Sequence, residues 1–235
     1  MVDLECNAIG PAVRTAYTLG FHVEDFSQVE KDESRLELRL HLMRSLFVLD
    51  MCISEALDLP KAMEEKNVYK DITELRPQSA MRHDGIMSPH QLALDGTIQA
   101  SWAMNEIIKS YRDKGSVTTS LGLETLRKCR ERSAALSPDL DFFSSVQERH
   151  LSVDDHIAIF HVNVLEAYCK LLATRPFFGG LLVDLLRSPS AVSTEDPTPR
   201  DDLAQTCLKT SISLVSMVHL AYRSSWLPHR HGFLP

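Results

Sequence analysis

The sequence lacks the short motifs that identify the common enzyme classes. Its nine glycines are scattered and form no phosphate-binding loop, and it has no HExxH, G-x-S-x-G or CxxC pattern. No uninterrupted apolar run reaches the ~18 residues of a membrane helix, and the N-terminus shows no signal-peptide pattern. We therefore expect no cofactor, no bound metal and no membrane association, and no residue stands out as catalytic.

An excess of positive charge is also missing. The chain has 25 Lys and Arg against 32 Asp and Glu, which gives a formal net charge of -7, whereas nucleic-acid-binding domains usually present a basic face. We therefore expect no direct contact with nucleic acid. The five cysteines are odd in number and none is at zinc-ligand spacing, so reduced thiols in the nucleus or cytoplasm are expected.

What the sequence does contain is the composition of a globular protein and a helical periodicity. Hydrophobic residues make up 44% and charged residues 24% of its 235 residues, which is enough apolar material for a core. No segment alternates with period two, so strands are not expected. We predict an all-α fold, an irregular multi-helix bundle or array that forms one domain over residues 1–235, with a surface loop at 188–200.

Proline, glycine and capping residues mark the ends of the predicted helices. These helices cover residues 10–19, 30–58, 89–114, 118–135, 155–173 and 201–224, with a short helix in LLVDLL. Pro11 is expected in the first turn of its helix, and Gly20 is expected to end that helix. Ser152 and Asp155 have the spacing of a capping box, and Gly179-Gly180 is expected to break the chain.

Asp50 is the acid that stands out, because it follows four apolar residues on or beside the core face of its helix. Burying an unpaired carboxylate costs on the order of several kcal/mol, so a partner is required. Arg14 and Arg175 are the candidates for an ion pair that fixes the register of the helices. The alternative is that Asp50 is the polar anchor of a ligand pocket.

Three phrases occur in the order found in a family of regulators. The first is A-x-R-x-A-x-x-L-G-x-H-x-x-D at residues 12–25, the second is SLFVLD at 45–50, and the third is RPF at 175–177. Together they resemble the fungal-specific transcription factor domain, the middle regulatory region of fungal zinc-cluster transcription factors. The likeness extends over roughly residues 10–225.

The chain departs from that family at several points, two of which concern the zinc cluster and a tryptophan pair. The cysteine-rich zinc cluster is absent, and Met43-Arg44 occupy the place of a tryptophan pair. The resemblance implies a regulatory module that binds a small apolar molecule or a protein partner and does not read DNA itself. Binding would act by shifting an equilibrium between helix packings.

Two further hypotheses stay open. In the first, a stand-alone copy has been recruited to secondary metabolism, where it binds an apolar metabolite or acts on it as a pericyclase-like cyclase by confinement. The candidates for its pocket are Asp50, Trp102, His161 and Tyr168. In the second, a truncated paralogue forms a homodimer, or a heterodimer with a full-length regulator. On balance the sequence favours a binding role over an enzyme.

Overall fold

The computed structural model describes residues 2–22, 32–56, 59–63, 89–115, 117–146, 150–187 and 198–226. Within these ranges it contains seven α-helices, one 3-10 turn and no strand, which confirms the all-α prediction. The chain divides into two compact units, Met1–Ser88 and Pro89–Pro235. The single domain that we predicted over residues 1–235 stays a prediction.

The helices of the two units have the following bounds. The first unit contains α1 (Val2–Thr18) and α2 (Glu33–Ala56). The second unit contains α3 (Pro89–Asp113), α4 (Thr119–Ala135), the 3-10 turn Pro138–Leu140, α5 (Phe142–Ser145), α6 (Val153–Arg187) and α7 (Pro199–Arg223). Residues 188–197 of the predicted surface loop lie outside the described residues, whereas its last two residues already belong to α7.

Local capping interactions start two of the long helices. At α6 the backbone N–H of Asp155 donates to Ser152 Oγ at 3.0 Å, and Ser152 N–H donates to the Asp155 carboxylate at 3.1 Å. This confirms the predicted capping box. Thr198 and Asp201 make the same reciprocal pair at α7, and the hydrogen bonds from Thr198 lower the pKa of the Asp201 carboxyl. Each pair satisfies backbone donors that a helix start leaves free.

The predicted end of the first helix is confirmed, but its predicted beginning is wrong. Gly20 has a φ of 75°, and Phe21 N–H donates to Ala16 O across it at 3.0 Å, as expected of a glycine that ends a helix. However, α1 begins at Val2, so Pro11 lies inside the helix rather than in its first turn. A proline inside a helix removes one backbone N–H donor and crowds the carbonyl of the preceding turn, which costs about 3 kcal/mol or more.

The predicted break at Gly179-Gly180 is also wrong. Helix α6 continues through Pro176 and both glycines to Arg187. Phe177, which lies between them and the proline, is buried with Leu126 and Leu203, and this packing outweighs a helix penalty of roughly 1 kcal/mol per glycine. Beyond the glycines, Asp184 still reaches α7, since its carboxylate lies 2.9 Å from an Arg200 guanidinium nitrogen.

Helix α6 lies at the centre of the second unit, packed against α3, α4 and α7. Four of its buried side chains, Ile159, Phe160, Val162 and Ala167, belong to a core cluster with Phe142 and Met217, in which Ile159 and Val162 are fully enclosed. Full burial of such a side chain contributes about 1.5–3 kcal/mol. By length and composition α6 could also cross a membrane, the one described helix that could. This is weak evidence, because the central helix of a packed unit has the same composition.

In the first unit, α1 and α2 pack against each other. Val13 and Ala16 are buried on α1, and Leu40, Met43, Phe47 and Met51 are buried on α2. Asp50, next to Met51, is buried as well. The turn after α1 is held to α2, because Arg39 Nε donates to Phe21 O at 2.7 Å.

Two glycine substitutions test this packing in opposite directions. An alanine at Gly122 would overlap the ring of Phe177, so we expect Gly122→Ala to destabilise the protein by about 1–3 kcal/mol. An alanine at Gly179 meets nothing within 4 Å, so Gly179→Ala should stabilise it by about 0.5–1 kcal/mol. Urea unfolding of both variants beside the parent protein measures the two effects. A loss of stability in Gly179→Ala would contradict a continuous α6.

Candidate functional site

A cleft of about 490 Å³ opens between the end of α4, the 3-10 turn, α6 and α7. Its volume lies within the range of roughly 300–1,000 Å³ that is typical of small-molecule sites. The apolar side chains that line it include Leu136, Leu140, Phe143, Ala167 and Met217. The polar side chains that line it include Asp141, Asn163, Glu166, Lys170, Lys209 and Ser213. The cleft therefore combines an apolar surface with several charged groups.

A buried ion pair forms one wall of this cleft. Glu166 on α6 is only 4% exposed, and its carboxylate accepts hydrogen bonds from Arg132 Nε at 2.7 Å and from Ser133 Oγ at 2.6 Å, both on α4. Burial alone would lower the pKa of the Arg132 guanidinium, but its hydrogen bond and charge interaction with Glu166 outweigh that effect and raise the pKa. Arg132 therefore stays charged, and its guanidinium lies against the Glu166 carboxylate as a compensating charge.

Two ammonium groups remain available to a ligand in this cleft. Lys170 projects from α6, one turn beyond Glu166, and Lys209 from α7. Among the described residues, Lys209 Nζ donates to the uncharged Gln205 side chain alone, at 3.3 Å. The other acid of the lining, Asp141, already caps α5 by accepting from Ser144 N–H at 2.8 Å. The cleft is thus suited to an anionic group.

Asn163 adds a fixed acceptor to the same wall. Its Nδ2 donates to Leu140 O at 2.7 Å and to Ile159 O at 2.8 Å. These two bonds orient the side-chain amide and leave its carbonyl oxygen as the group that can accept a hydrogen bond from a ligand. They also join the 3-10 turn to α6.

Two other clefts occur in the described part of the second unit. One of about 290 Å³ lies between α3 and α4 and is lined by Arg132 and Cys129 among others. The second, about 590 Å³ and more open to solvent, lies along α3 and α6 and is lined by His90, Leu94, Ile157 and His161. Partial burial of the ring lowers the pKa of His161. We favour the cleft of about 490 Å³, because the acids of its lining are already engaged, Glu166 with Arg132 and Asp141 as a helix cap. In the cleft of about 290 Å³, by contrast, Lys128 is itself paired with Glu124.

Asp50 is buried in the first unit, and backbone groups are its main partners. Its carboxylate accepts from the N–H groups of Ala62 and Met63 at 3.0 and 2.9 Å, and from Ser54 Oγ at 3.4 Å. Within the described residues it makes no ion pair with Arg14, which is exposed on α1. These bonds hold residues 59–63 against α2 and satisfy the carboxylate without an arginine.

The other predicted site residues lie on helices of the second unit. His161 lines the cleft of about 590 Å³, while Trp102 on α3 and Tyr168 on α6 are half-buried and line none of the three clefts. Arg175 is exposed on α6. The four predicted pocket residues are therefore not gathered around the favoured cleft, and their role as a ligand site stays a prediction.

The charged residues that the sequence analysis missed are Arg132 and Glu166. Arg132 is the last of four basic residues between positions 127 and 132, a pattern that in sequence is typical of a solvated helix surface. Glu166 did carry a signal, since it is the only acid between residues 156 and 183 of an otherwise apolar helix. The same argument that singled out Asp50 applies to it.

The buried cysteines are not suited to nucleophilic chemistry. Burial raises the pKa of the Cys129 thiol, and it raises that of Cys169 to about 12. Cys169 also donates to Ala100 O at 3.2 Å. At neutral pH both thiols remain protonated and pack as small apolar groups. Among the residues with described side chains, no three His, Cys, Asp or Glu groups lie close enough together to hold a metal ion.

No family model, no curated protein and no solved structure matches this chain. The likeness to fungal regulators therefore stays an expectation from the sequence.

Removing the Glu166 carboxylate tests the central ion pair. Glu166→Ala would leave the largely buried Arg132 guanidinium without its anion, so we expect a loss of about 3–5 kcal/mol in the free energy of unfolding. The matched control is Glu131→Ala, which removes a carboxylate paired with Arg127 on the exposed side of α4 and should cost less than about 1 kcal/mol. Chemical unfolding measures both. Equal losses would show that the buried ion pair contributes no more to the free energy of unfolding than the exposed pair does.

Proposed function

We propose that this chain is a helical regulatory module that binds a small, mainly apolar molecule with an anionic group in the cleft of about 490 Å³. The observation that carries the proposal is the combination of apolar lining with Lys170 and Lys209, beside a glutamate whose charge is already compensated. The module has no zinc cluster of its own. We place it in the nucleus or cytoplasm, with a protein partner to transmit its response.

The lining of the cleft supports this class of ligand on energetic grounds. Apolar surface removed from water contributes roughly 25 cal/mol per Å², so contacts with Leu136, Phe143 and Met217 favour an apolar body. A carboxylate or sulfonate near the two lysines would gain charge-assisted hydrogen bonds. A cationic ligand would instead meet two like charges.

The elements around the cleft supply a route from binding to regulation. Ser133 and Asn163 hold α4 and the 3-10 turn to α6 through hydrogen bonds, whereas α7 lines the cleft with Lys209, Ser213 and Met217. A ligand that contacts α6 on one side of the cleft and α7 on the other would favour the packing of α7 in which the cleft is closed. The shift in the equilibrium between the open and closed packings would be limited by the difference in the ligand's affinity for them.

A fluorescent probe with this chemistry tests the site. Anilinonaphthalene sulfonate has an apolar aromatic body and one anionic group, and its emission rises when it leaves water. We expect the folded protein to bind it, and we expect the double variant Lys170→Gln, Lys209→Gln to raise its dissociation constant by about 10-fold, the loss of one charge-assisted hydrogen bond. Fluorescence titration measures the change.

A control with the same change in net charge is available. Lys109 and Arg130 are exposed on α3 and α4 and line none of the described clefts. The double variant Lys109→Gln, Arg130→Gln should bind the probe as the parent does. If the two double variants bind it equally, the cleft is not the site.

The alternative function is a binder or cyclase of an apolar metabolite, which draws on the cleft that contains His90 and His161. Deleting the gene for this chain in its host separates the two functions. A regulator predicts changed transcript levels, measured by RNA sequencing. The loss of one metabolite with unchanged transcripts would contradict the regulatory proposal and support the alternative.

A further inference from the structure

Helix α7 has apolar residues on two opposite faces. Its inner face is buried in the unit at Leu203, Cys207, Met217 and Ala221. On the other side is a second line of side chains, which we call the outer stripe, formed by Leu208, Ile212, Val215, His219 and Tyr222. The four residues other than His219 are 49%, 59%, 68% and 54% exposed in that order. A helix packed on a core normally presents polar side chains to water on its outer side. In the outer stripe, α7 presents apolar side chains there instead.

The spacing of the outer stripe distinguishes it from scattered surface residues. Single exposed hydrophobic residues are ordinary, but these five alternate at intervals of four and three along α7. That interval puts them in one line, as helices that pair side by side require. The line is about 22 Å long at 1.5 Å per residue.

We propose that the outer stripe is a self-association surface, on which α7 of a second copy of this chain packs in antiparallel orientation. The stripe is nearly symmetric about Val215, since Leu208 and Tyr222 are equally far from it in sequence. A two-fold axis near Val215 would bring the same patch of both copies together, as an isologous dimer requires. The inference is independent of the ligand proposed for the cleft.

The charges at the ends of α7 favour the antiparallel orientation. Its first turn contains Asp201 and Asp202, and its last turn contains Arg223. An antiparallel pair opposes the two helix dipoles, and it brings the acidic end of each helix nearer to the basic end of the other helix than to its acidic end. A parallel pair would place like charges side by side.

The surface is small, which sets the expected strength of the dimer. A single helix pair buries less than the roughly 800 Å² per partner of a standard stable interface. We therefore expect a reversible dimer that forms as the protein concentration rises. Sedimentation equilibrium of the whole chain across nanomolar to tens of micromolar should show the mass rising from one chain toward two.

Matched glutamate substitutions locate the surface. Leu208→Glu and Ile212→Glu each place a charge within the outer stripe, and we expect each to raise the dimer dissociation constant by at least ~10-fold. Leu123→Glu is the control, because Leu123 is a leucine of similar exposure, 42%, on α4. Circular dichroism verifies that all three variants keep their helical content.

Two results would overturn the proposed self-association surface. A parent chain that stays monomeric over the whole range overturns it, as does a dimer that Leu208→Glu and Leu123→Glu weaken equally.

The orientation of the two helices is tested by oxidative cross-linking, with the parent protein as the background control. Val215→Cys should form a cross-linked dimer, whereas Leu208→Cys should not, because antiparallel helices separate the two copies of position 208 by ~21 Å along the helix axis. Cross-linking through Leu208→Cys and Val215→Cys alike would overturn the antiparallel arrangement.

Discussion

The ion pair between Arg132 and Glu166 is the interaction on which the second unit depends. It joins α4 to the central helix α6, and Ser133 adds a second bond from α4 to the same carboxylate. Each charge is tolerated in a largely buried place only because the other is present. The pair also separates two clefts, since Glu166 lines one and Arg132 lines the other. The ion pair between Arg132 and Glu166 therefore contributes both to the shape of the candidate site and to its electrostatics.

The same arrangement makes the cleft suited to the anionic ligand that we propose, although the chain is acidic overall. The net charge of -7 describes the whole surface, whereas the cleft contains one acid paired with arginine and another that caps a helix. Lys170 and Lys209 are then the charges that a ligand meets. Local geometry thus reverses the sign that the composition suggests, because only groups that lie close together act strongly on a bound molecule.

Sequence analysis predicted best what depends on neighbours along the chain. The capping pair of Ser152 and Asp155 and the helix end at Gly20 are interactions within a few residues, so local chemistry decides them. It failed at Gly179-Gly180, where burial of Phe177 against other helices keeps α6 intact. For Asp50 it correctly predicted a buried acid, but its partners are backbone N–H groups of residues 62 and 63, and no pattern of residue types encodes those.

The sequence by itself determined that this protein is built from helices, where most of them end, and that it lacks the motifs of common enzymes. These follow from periodicity, capping and composition, which are properties of adjacent residues. Only the tertiary structure decided that Glu166 finds Arg132, that Lys170 and Lys209 share a cleft, and that α7 exposes a second apolar face. Those facts depend on which sides of distant helices meet, because packing of the whole unit chooses among many pairings that the sequence permits.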